Sequence, residues 1–294
     1  MIEVKVPATS ANVGPGFDCM GIALDSYAVF RFEKQERLTI TGCDPKWQNE
    51  QNLVYQGFQK VMTHCGKVCN GLSIDIDAAD IPQARGLGSS AVCIVAGAVA
   101  ANAFLNNRFS KAELLDLCTE LEGHPDNVAP AIYGALCVSF LQDGHVHTMR
   151  YQMDSDWKFC AIIPDYEILT KKARAVLPNQ LSYQDAIFNI GHCAALAKAL
   201  EIGDADMVAA ACDDRLHQPY RKSLFPQYEE IDTLCQIYEM CTMYISGSGS
   251  TMMAICKDQA KGKALLDAVN QKFPNWKTLL LSADMQGAVV EEVA

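Results

Sequence analysis

Four short segments of this chain hold residue types that can do chemistry. The first is Pro82-Gln83-Ala84-Arg85-Gly86-Leu87-Gly88-Ser89-Ser90-Ala91, which leads into an Ala/Val-rich run. Its two glycines let the backbone turn sharply and approach a ligand closely. Its two serines fall where the first N–H groups of a helix lack partners, so the segment reads as an anion site. A plain glycine turn with a serine N-cap is the structural alternative. The loop has no Lys after its glycines and is not Gly-x-Gly-x-x-Gly, which disfavours both the Gly-x4-Gly-Lys-Ser/Thr loop and a Rossmann dinucleotide site. The second segment, Pro7 to Asp18, sets small and polar residues directly after a strand and otherwise reads as a loop with Asx-type turns. The third, Glu122-Gly123-His124-Pro125-Asp126-Asn127, clusters two carboxylates, an imidazole and an amide before a helix, where capping by Asp126 is the alternative. The fourth, Ser246-Gly247-Ser248-Gly249-Ser250-Thr251, lies between two short strands and alone reads as a tight turn.

In their order and spacing these segments resemble the motifs of the GHMP small-molecule kinases: Pro-x2-Ser-x-Asn-x-Gly-Pro-Gly-Phe-Asp at the start, Pro-x3-Gly-Leu-Gly-Ser-Ser-Ala near residue 85, and Ser-Gly-x-Gly near residue 247. The Glu122 to Asn127 segment with its continuation Val-Ala-Pro-Ala is similar to the homoserine kinase branch of that family. So are Asn52-Leu-Val-Tyr, Thr170-Lys-Lys-Ala-Arg174-Ala-Val-Leu-Pro and Leu216-His-Gln-Pro-Tyr-Arg221. The likeness runs from residue 3 to about 290. Two departures stand out. The third motif reads Gly-Ser-Gly-Ser-Thr where the family usually has Gly-Ala-Gly-Pro-Thr, which predicts a less rigid loop. Gly134 is followed by Ala135 where a second Gly is common.

The resemblance implies an α+β, two-domain GHMP kinase fold. Residues 1–155 would form an ATP-binding domain like the second domain of ribosomal protein S5, and residues 156–294 a ferredoxin-like domain. It implies ATP bound by Pro82, Arg85, Gly86, Leu87, Gly88, Ser89 and Ser90, with Asn52 by the adenine and Mg²⁺ on Ser90 and Glu122. One hydroxyl and one carboxylate suit an ion that keeps waters and phosphates as its other ligands. The implied acceptor is L-homoserine. Arg174 and Arg221, helped by Thr170, would hold its carboxylate, and Gly247 would line the same site. Asn12, Asp18, His124 and Asp126 would face its ammonium and side chain, and Asn127 its attacking hydroxyl. Cationic forks for a carboxylate and carboxylates for an ammonium make physical sense. Asp18 and Asp126 are the candidates for a base, but a loose phosphoryl-transfer transition state needs little early deprotonation, so no residue is assigned that role.

The rival readings are another GHMP kinase acting on mevalonate, shikimate or a sugar, a non-catalytic ligand sensor on the same fold, and an S5-like RNA-binding module. The arginines with Asp18 and Asp126 favour a zwitterion over a neutral sugar. An intact Ser90 and Glu122 pair speaks against a sensor. Taken alone, Arg174 and Arg221 would be surface ion pairs and His124 a turn histidine.

Periodicity predicts the elements that must position these groups. Ile2–Val6, Ala28–Phe32, Leu38–Thr41 and Leu72–Ile76 read as strands, and Ala135–Leu141 with Val146–Tyr151 as a hairpin closed by Asp143-Gly144. Asn52–Thr63 and Lys111–Glu120 read as amphipathic helices, and Ser90–Leu105, apolar nearly all round, as a central one. Beyond a boundary near 155, Phe159–Ile163, Met243–Ser246, Met252–Ile255, Leu279–Ser282 and Ala288–Glu291 read as strands. Helices are expected over Tyr183–Leu200, Asp204–Cys212, Pro226–Met240 and Ala260–Phe273.

Composition bounds the rest. The chain has 294 residues, 50% hydrophobic and 20% charged, which suits two globular domains sharing an extended core. Its 24 Lys and Arg against 35 Asp and Glu give a net charge of −11, which excludes a general nucleic-acid binder while leaving room for a small anion held by local arginines. The 13 cysteines, with no CxxC, read as small core hydrophobes of a reducing cytosol rather than a disulfide framework or zinc site. The N-terminus lacks a signal-peptide core, and the longest apolar run, Ala91–Ala101, is too short to span a bilayer. The expectation is a cytoplasmic protein with no membrane partner; base rates favour a homodimer.

Overall fold

The computed structural model describes residues 1–69, 71–79 and 81–292. The first half runs β1 (Ile2–Ala11), β2 (Met20–Lys34), β3 (Thr39–Thr41), α1 (Leu53–His64), β4 (Leu72–Asp77), α2 (Ser89–Phe104), α3 (Lys111–Glu122), α4 (Pro125–Tyr133), β5 (Leu136–Gln142) and β6 (His145–Tyr151). The second runs β7 (Lys158–Ile163), α5 (Thr170–Ala175), α6 (Tyr183–Ile202), α7 (Ala205–Ala211), α8 (Gln218–Arg221), α9 (Tyr228–Ile237), β8 (Thr242–Ile245), β9 (Met252–Cys256), α10 (Gln259–Lys272), β10 (Lys277–Leu281) and β11 (Val289–Glu292).

The first sheet is built on the 15-residue β2. One end of β2 pairs with β5 through Met20–Ile22, the other with β4 through Val29–Lys34, and β1 runs along its far edge. Helix α2 packs beneath this sheet and is apolar all round because it is covered on every side. Helix α1 crosses it at two glycines. A Cβ on Gly57 would lie 2.2 Å from the Ile94 carbonyl oxygen, and one on Gly97 1.9 Å from that of Val54. Only glycine permits this approach, which sets where the N-terminus of α2 emerges.

The second sheet is antiparallel throughout, in the order β10-β7-β9-β8. Counted within this half the order is 4-1-3-2, the ferredoxin-like arrangement. Buried side chains from both halves, among them Phe159, Leu196, Tyr244 and Ile255 from the second, join one continuous core.

Two expectations need correction. The segment after the first strand is not loop from Pro7 onward: β1 continues to Ala11, with a register shift between Pro7 and Ala8, and only residues 12–19 leave the sheet. A bulge absorbs the proline, which cannot donate to the ladder. The last strand does not stay with its own half either. Val289 to Glu292 pair with Lys5 to Ile2, so β11 edges the first sheet, and a cut at 155 leaves that strand across the boundary. All thirteen cysteines are free. Among the described residues no helix is long and apolar enough to cross a membrane.

Candidate active site

The four chemically suggestive segments converge where the end of β1, the N-termini of α2 and α4, and helices α5 and α8 meet. The loop before α2 owes its shape to left-handed glycines. Gly86 (φ +83°) and Gly88 (φ +68°) both adopt backbone that L-residues avoid. A Cβ on Gly86 would sit 2.3 Å from the Ser246 carbonyl oxygen and one on Gly88 1.8 Å from Thr9 Oγ1. The loop is thereby clamped between β1 and the turn joining β8 to β9. Ser246 Oγ donates to the Gly86 carbonyl (2.5 Å), Thr9 N–H to the Leu87 carbonyl (3.3 Å) and Thr251 N–H to the Arg85 carbonyl (2.9 Å). In the Ser248/Ser250 turn, which lacks the family's proline, Ser250 Oγ donates to the Tyr166 carbonyl at 2.6 Å. Ala135, standing where a second glycine is common, does adopt positive φ (+60°).

A cavity of ≈ 130 Å³ opens above this loop. Gly86, Gly88, Ser89 and Ser90 form its floor, with Glu122 beside them. Asn12, Asp18, His124, Asp126 and Asn127 line it from the first half, and Thr170, Arg174, Arg221 and Gly247 from the second. A larger cavity of ≈ 650 Å³ shares Ala84, Ser89, Ser90 and Thr170 with it and is otherwise mainly apolar, with Phe30, Trp47, Ile76, Ile81 and Val92 in its walls. Asn52 stands there as the N-cap of α1, accepting from Val54 N–H (2.9 Å) and donating to the Trp47 carbonyl (2.9 Å). Three residues expected at the nucleotide line neither cavity. Leu87 is buried under the loop, Pro82 lies before it, and Arg85 turns away to Glu167 (3.0 Å) and the Asp165 carbonyl (3.2 Å).

Charges alternate around the small cavity. Arg174 grips Asp18 with both terminal nitrogens (2.8 and 2.9 Å), which raises the arginine's affinity for its proton. Arg221 is 2% exposed, and burial, aided by nearby Arg174, lowers it to about 10, still a cation at neutral pH. Its Nε donates to the Ala173 carbonyl (3.1 Å) and its Nη1 to that of Gly247 (3.0 Å), which also accepts from Asn12 Nδ2 (2.7 Å). His124 Nδ1 lies 2.5 Å from Asp126 Oδ1, and that bond raises the imidazole above its ordinary range. Asn127 Oδ1 accepts from Thr9 Oγ1 (2.8 Å), which fixes its amide so that Nδ2 faces Asp126.

Ser90 Oγ donates to Glu122 Oε2 at 2.6 Å, and burial pushes the Glu122 carboxyl up. A half-buried carboxylate with a hydroxyl beside it fits a hard divalent cation whose remaining ligands come from phosphates and water. Among the described residues no group of three His, Cys, Asp or Glu side chains gathers around such an ion.

Several groups in this site had no role in the sequence reading. Thr9 and Phe17 lie inside the first motif, His217 inside Leu216–Arg221 and Ser246 opens the third motif. Their types are unremarkable, and only their contacts across the chain distinguish them.

Comparison with known proteins gives a consistent likeness. The family profile for the GHMP kinases N terminal domain matches residues 52–135, and that for GHMP kinases C terminal matches residues 196–275. The chain is 42% identical over 296 residues to the homoserine kinase of Clostridium botulinum (strain ATCC 19397 / Type A), covering 99% of this chain and 98% of that one. Among solved structures, the homoserine kinase of Cytophaga hutchinsonii ATCC 33406 superposes with a TM-score of 0.88 at 28% identity, covering 99% of this chain and 97% of that one. The mevalonate kinase of L. major, solved with R-mevalonate, reaches 0.74 at 16% identity over 96% of this chain and 95% of that one, a likeness of fold alone.

Proposed function

The chain belongs to the GHMP kinase family, and we propose that it transfers the γ-phosphoryl group of ATP to the side-chain hydroxyl of L-homoserine, giving O-phospho-L-homoserine for threonine synthesis. It is an ATP-dependent kinase with a two-domain GHMP fold. The observation that carries the choice of acceptor is the small cavity. Arg174 and Arg221 share its wall with Asp18, Asp126 and His124, Arg174 being paired with Asp18, and the floor is shared with a cavity large enough for a nucleoside. A zwitterion with a terminal hydroxyl matches that pattern of charge.

In this reading adenine occupies the apolar cavity beside Asn52, and the phosphates lie on the N–H groups at Gly86 to Ser90, where the dipole of α2 favours negative charge. Ser90 and Glu122 would hold Mg²⁺, which would supply positive charge to offset that of the phosphates. Arg174, Arg221 and Thr170 take the amino-acid carboxylate, with Gly247 and Asn12 closing that end. Asp18, His124 and Asp126 receive the ammonium. Asn127 orients the hydroxyl, whose oxygen attacks the γ-phosphorus as the bond to the β,γ-bridging oxygen breaks. Catalysis then rests on positioning and electrostatics. Of the two carboxylates near the hydroxyl, Asp18 has both oxygens on Arg174, whereas Asp126 shares only Oδ1 with His124 and Asn127 among the described hydrogen bonds. Asp126 is therefore the better placed to take the proton.

The test is ADP release by the purified protein with Mg-ATP and homoserine, mevalonate, shikimate or galactose in turn. Homoserine alone should support turnover. Faster turnover of another acceptor overturns the assignment, and binding without turnover of any returns the protein to the sensor reading.

A further inference from the structure

His217 is fully buried and both of its ring nitrogens are engaged. Nε2 lies 2.8 Å from the carbonyl oxygen of Gly14, in the loop that leaves the first sheet. Nδ1 lies 3.4 Å from Nη1 of Arg221, one helical turn further along its own segment. A guanidinium only donates and a carbonyl only accepts. A single protonation state satisfies both contacts: Nε2 carries the hydrogen and donates to Gly14, and Nδ1 accepts from Arg221. Burial lowers His217 below the ordinary imidazole range against the opposing pull of Asp214, which keeps the ring neutral as this tautomer requires.

Asp214 Oδ2 is 3.6 Å from Nε2, but its carboxylate is otherwise occupied. It accepts from the Asn189 side chain (2.7 Å) and from the N–H groups of Leu216 (2.9 Å), His217 (2.9 Å) and Gln218 (2.7 Å). Asn189 also reaches back to the Pro15 carbonyl at 3.2 Å. Phe17, from the same loop, stacks on the His217 ring with centroids 5.1 Å apart, and the Arg221 guanidinium lies 5.0 Å from the Phe17 centroid. The loop that ends in Asp18 and the cation of α8 are thus joined through one imidazole.

We propose that His217 is a positioning residue for the acceptor: as the Nε2–H tautomer it ties the Gly14 carbonyl to the Arg221 guanidinium, holding Asp18 and Arg221 in the registry that a zwitterion requires. The proposal rests on the reading of Arg221 as a carboxylate ligand. Arg221 is otherwise held by two backbone carbonyls, and its Nη2 has no hydrogen-bond partner among the described residues, which leaves that nitrogen for the ligand.

The test compares His217→Phe, which keeps a stacking ring without hydrogen bonds, with His217→Gln, which keeps a donor and an acceptor. Acceptors are homoserine and 3-aminopropan-1-ol, which lacks the carboxylate. His217→Phe should raise the homoserine KM about tenfold and lower the preference for homoserine over the amino alcohol by a similar factor, as expected for one lost hydrogen bond to a charged group. The ATP KM should stay within about twofold, and His217→Gln within about threefold of wild type throughout. A His217→Phe enzyme that melts earlier but keeps the wild-type homoserine KM and preference shows a merely structural residue and overturns the proposal. Arg221→Ala separates the two readings. If it too leaves the homoserine KM unchanged, the carboxylate assignment has failed; if it raises KM while His217→Phe does not, only the positioning role has failed. Nitrogen-15 NMR of the wild-type ring, assigned by its loss in His217→Gln, gives a readout that does not need the Phe variant to fold. A neutral Nε2–H imidazole is expected, and an Nδ1–H tautomer or an imidazolium at neutral pH refutes the arrangement.

Discussion

Replacing Arg174 by alanine separates substrate recognition from stability. Arg174 and Asp18 form a two-pronged ion pair across 156 positions of sequence, yet their side chains are 40% and 35% exposed. Solvent screens a pair so open, and its worth to the fold is about 0–1 kcal/mol. The melting temperature should therefore fall by no more than about 3 °C. The same guanidinium facing a ligand carboxylate makes a charge-assisted contact of about 1.5–3 kcal/mol, about ten- to a hundredfold in affinity. Removing it also leaves Asp18 unpaired beside the incoming carboxylate, which pushes in the same direction. Arg174→Ala should raise the homoserine KM by at least about tenfold and leave the ATP KM little changed, measured by coupled ADP release. Preference over 3-aminopropan-1-ol should fall in parallel. Arg221→Ala makes the contrast. Its loss strips the buried Ala173 carbonyl and the half-buried Gly247 carbonyl of a charged donor, so it should cost stability as well as affinity. If Arg174→Ala keeps both the wild-type homoserine KM and its preference, the carboxylate assignment for Arg174 is wrong and the pair with Asp18 is a surface contact.

Glu122→Gln should lower turnover in saturating Mg-ATP by about 10²–10³-fold or more, the scale of losing one preorganised electrostatic partner. Because burial already disfavours the Glu122 carboxylate, the neutral isostere should not lower the melting temperature of the free protein; near-normal turnover sinks the magnesium assignment. His124 supplies a pH test. Its hydrogen bond to Asp126 raises the folded imidazole above its unfolded value, so the stability it contributes is complete below about pH 6.5 and is lost as pH rises through the folded value. His124→Asn should therefore reduce the melting temperature more at pH 6 than at pH 9, and equal losses at both would show that the ring is not held as a cation.

The elements of the first half were legible because their patterns are local: alternation in β1 and β4, and Ser90–Leu105 too apolar for any place but the centre. What escaped was non-local. Nothing near Val289 says that it will pair with Lys5, since a short β-rich strand fits either sheet and closure depends on which edge is open. Arg85, drawn into the nucleotide set by its place between Pro82 and Gly86, instead meets Glu167 from the other half. The loop glycines could be read as a tight turn, but that Gly88 must lack a Cβ because one there would fall 1.8 Å from Thr9 Oγ1 is a fact of packing between segments. Motif order supplied the candidate site, and the fold shows which of its side chains share a wall.

The alternation of charge around that wall also bears on the rival acceptors. The chain is strongly acidic, yet the small cavity sets Arg174 and Arg221 against Asp18, Asp126 and Glu122, with His124 drawn toward a cation by Asp126. A hydroxy acid such as mevalonate would satisfy the arginines but bring no ammonium to the carboxylates, leaving Asp126, 3% exposed, with only its His124 and Asn127 contacts. A neutral sugar would leave both arginines and the carboxylates to one another, and would give up the charge-assisted contacts that distinguish this cavity. Buried charge without a partner is costly, so under the proposed function these acceptors would be disfavoured by what they fail to pair as much as a zwitterion would be favoured by what it does. Selectivity of this kind needs the cations and the carboxylates held at a fixed separation. They come from different halves of the chain, so that separation depends on the contacts joining the Gly14 loop to α8, where His217 sits.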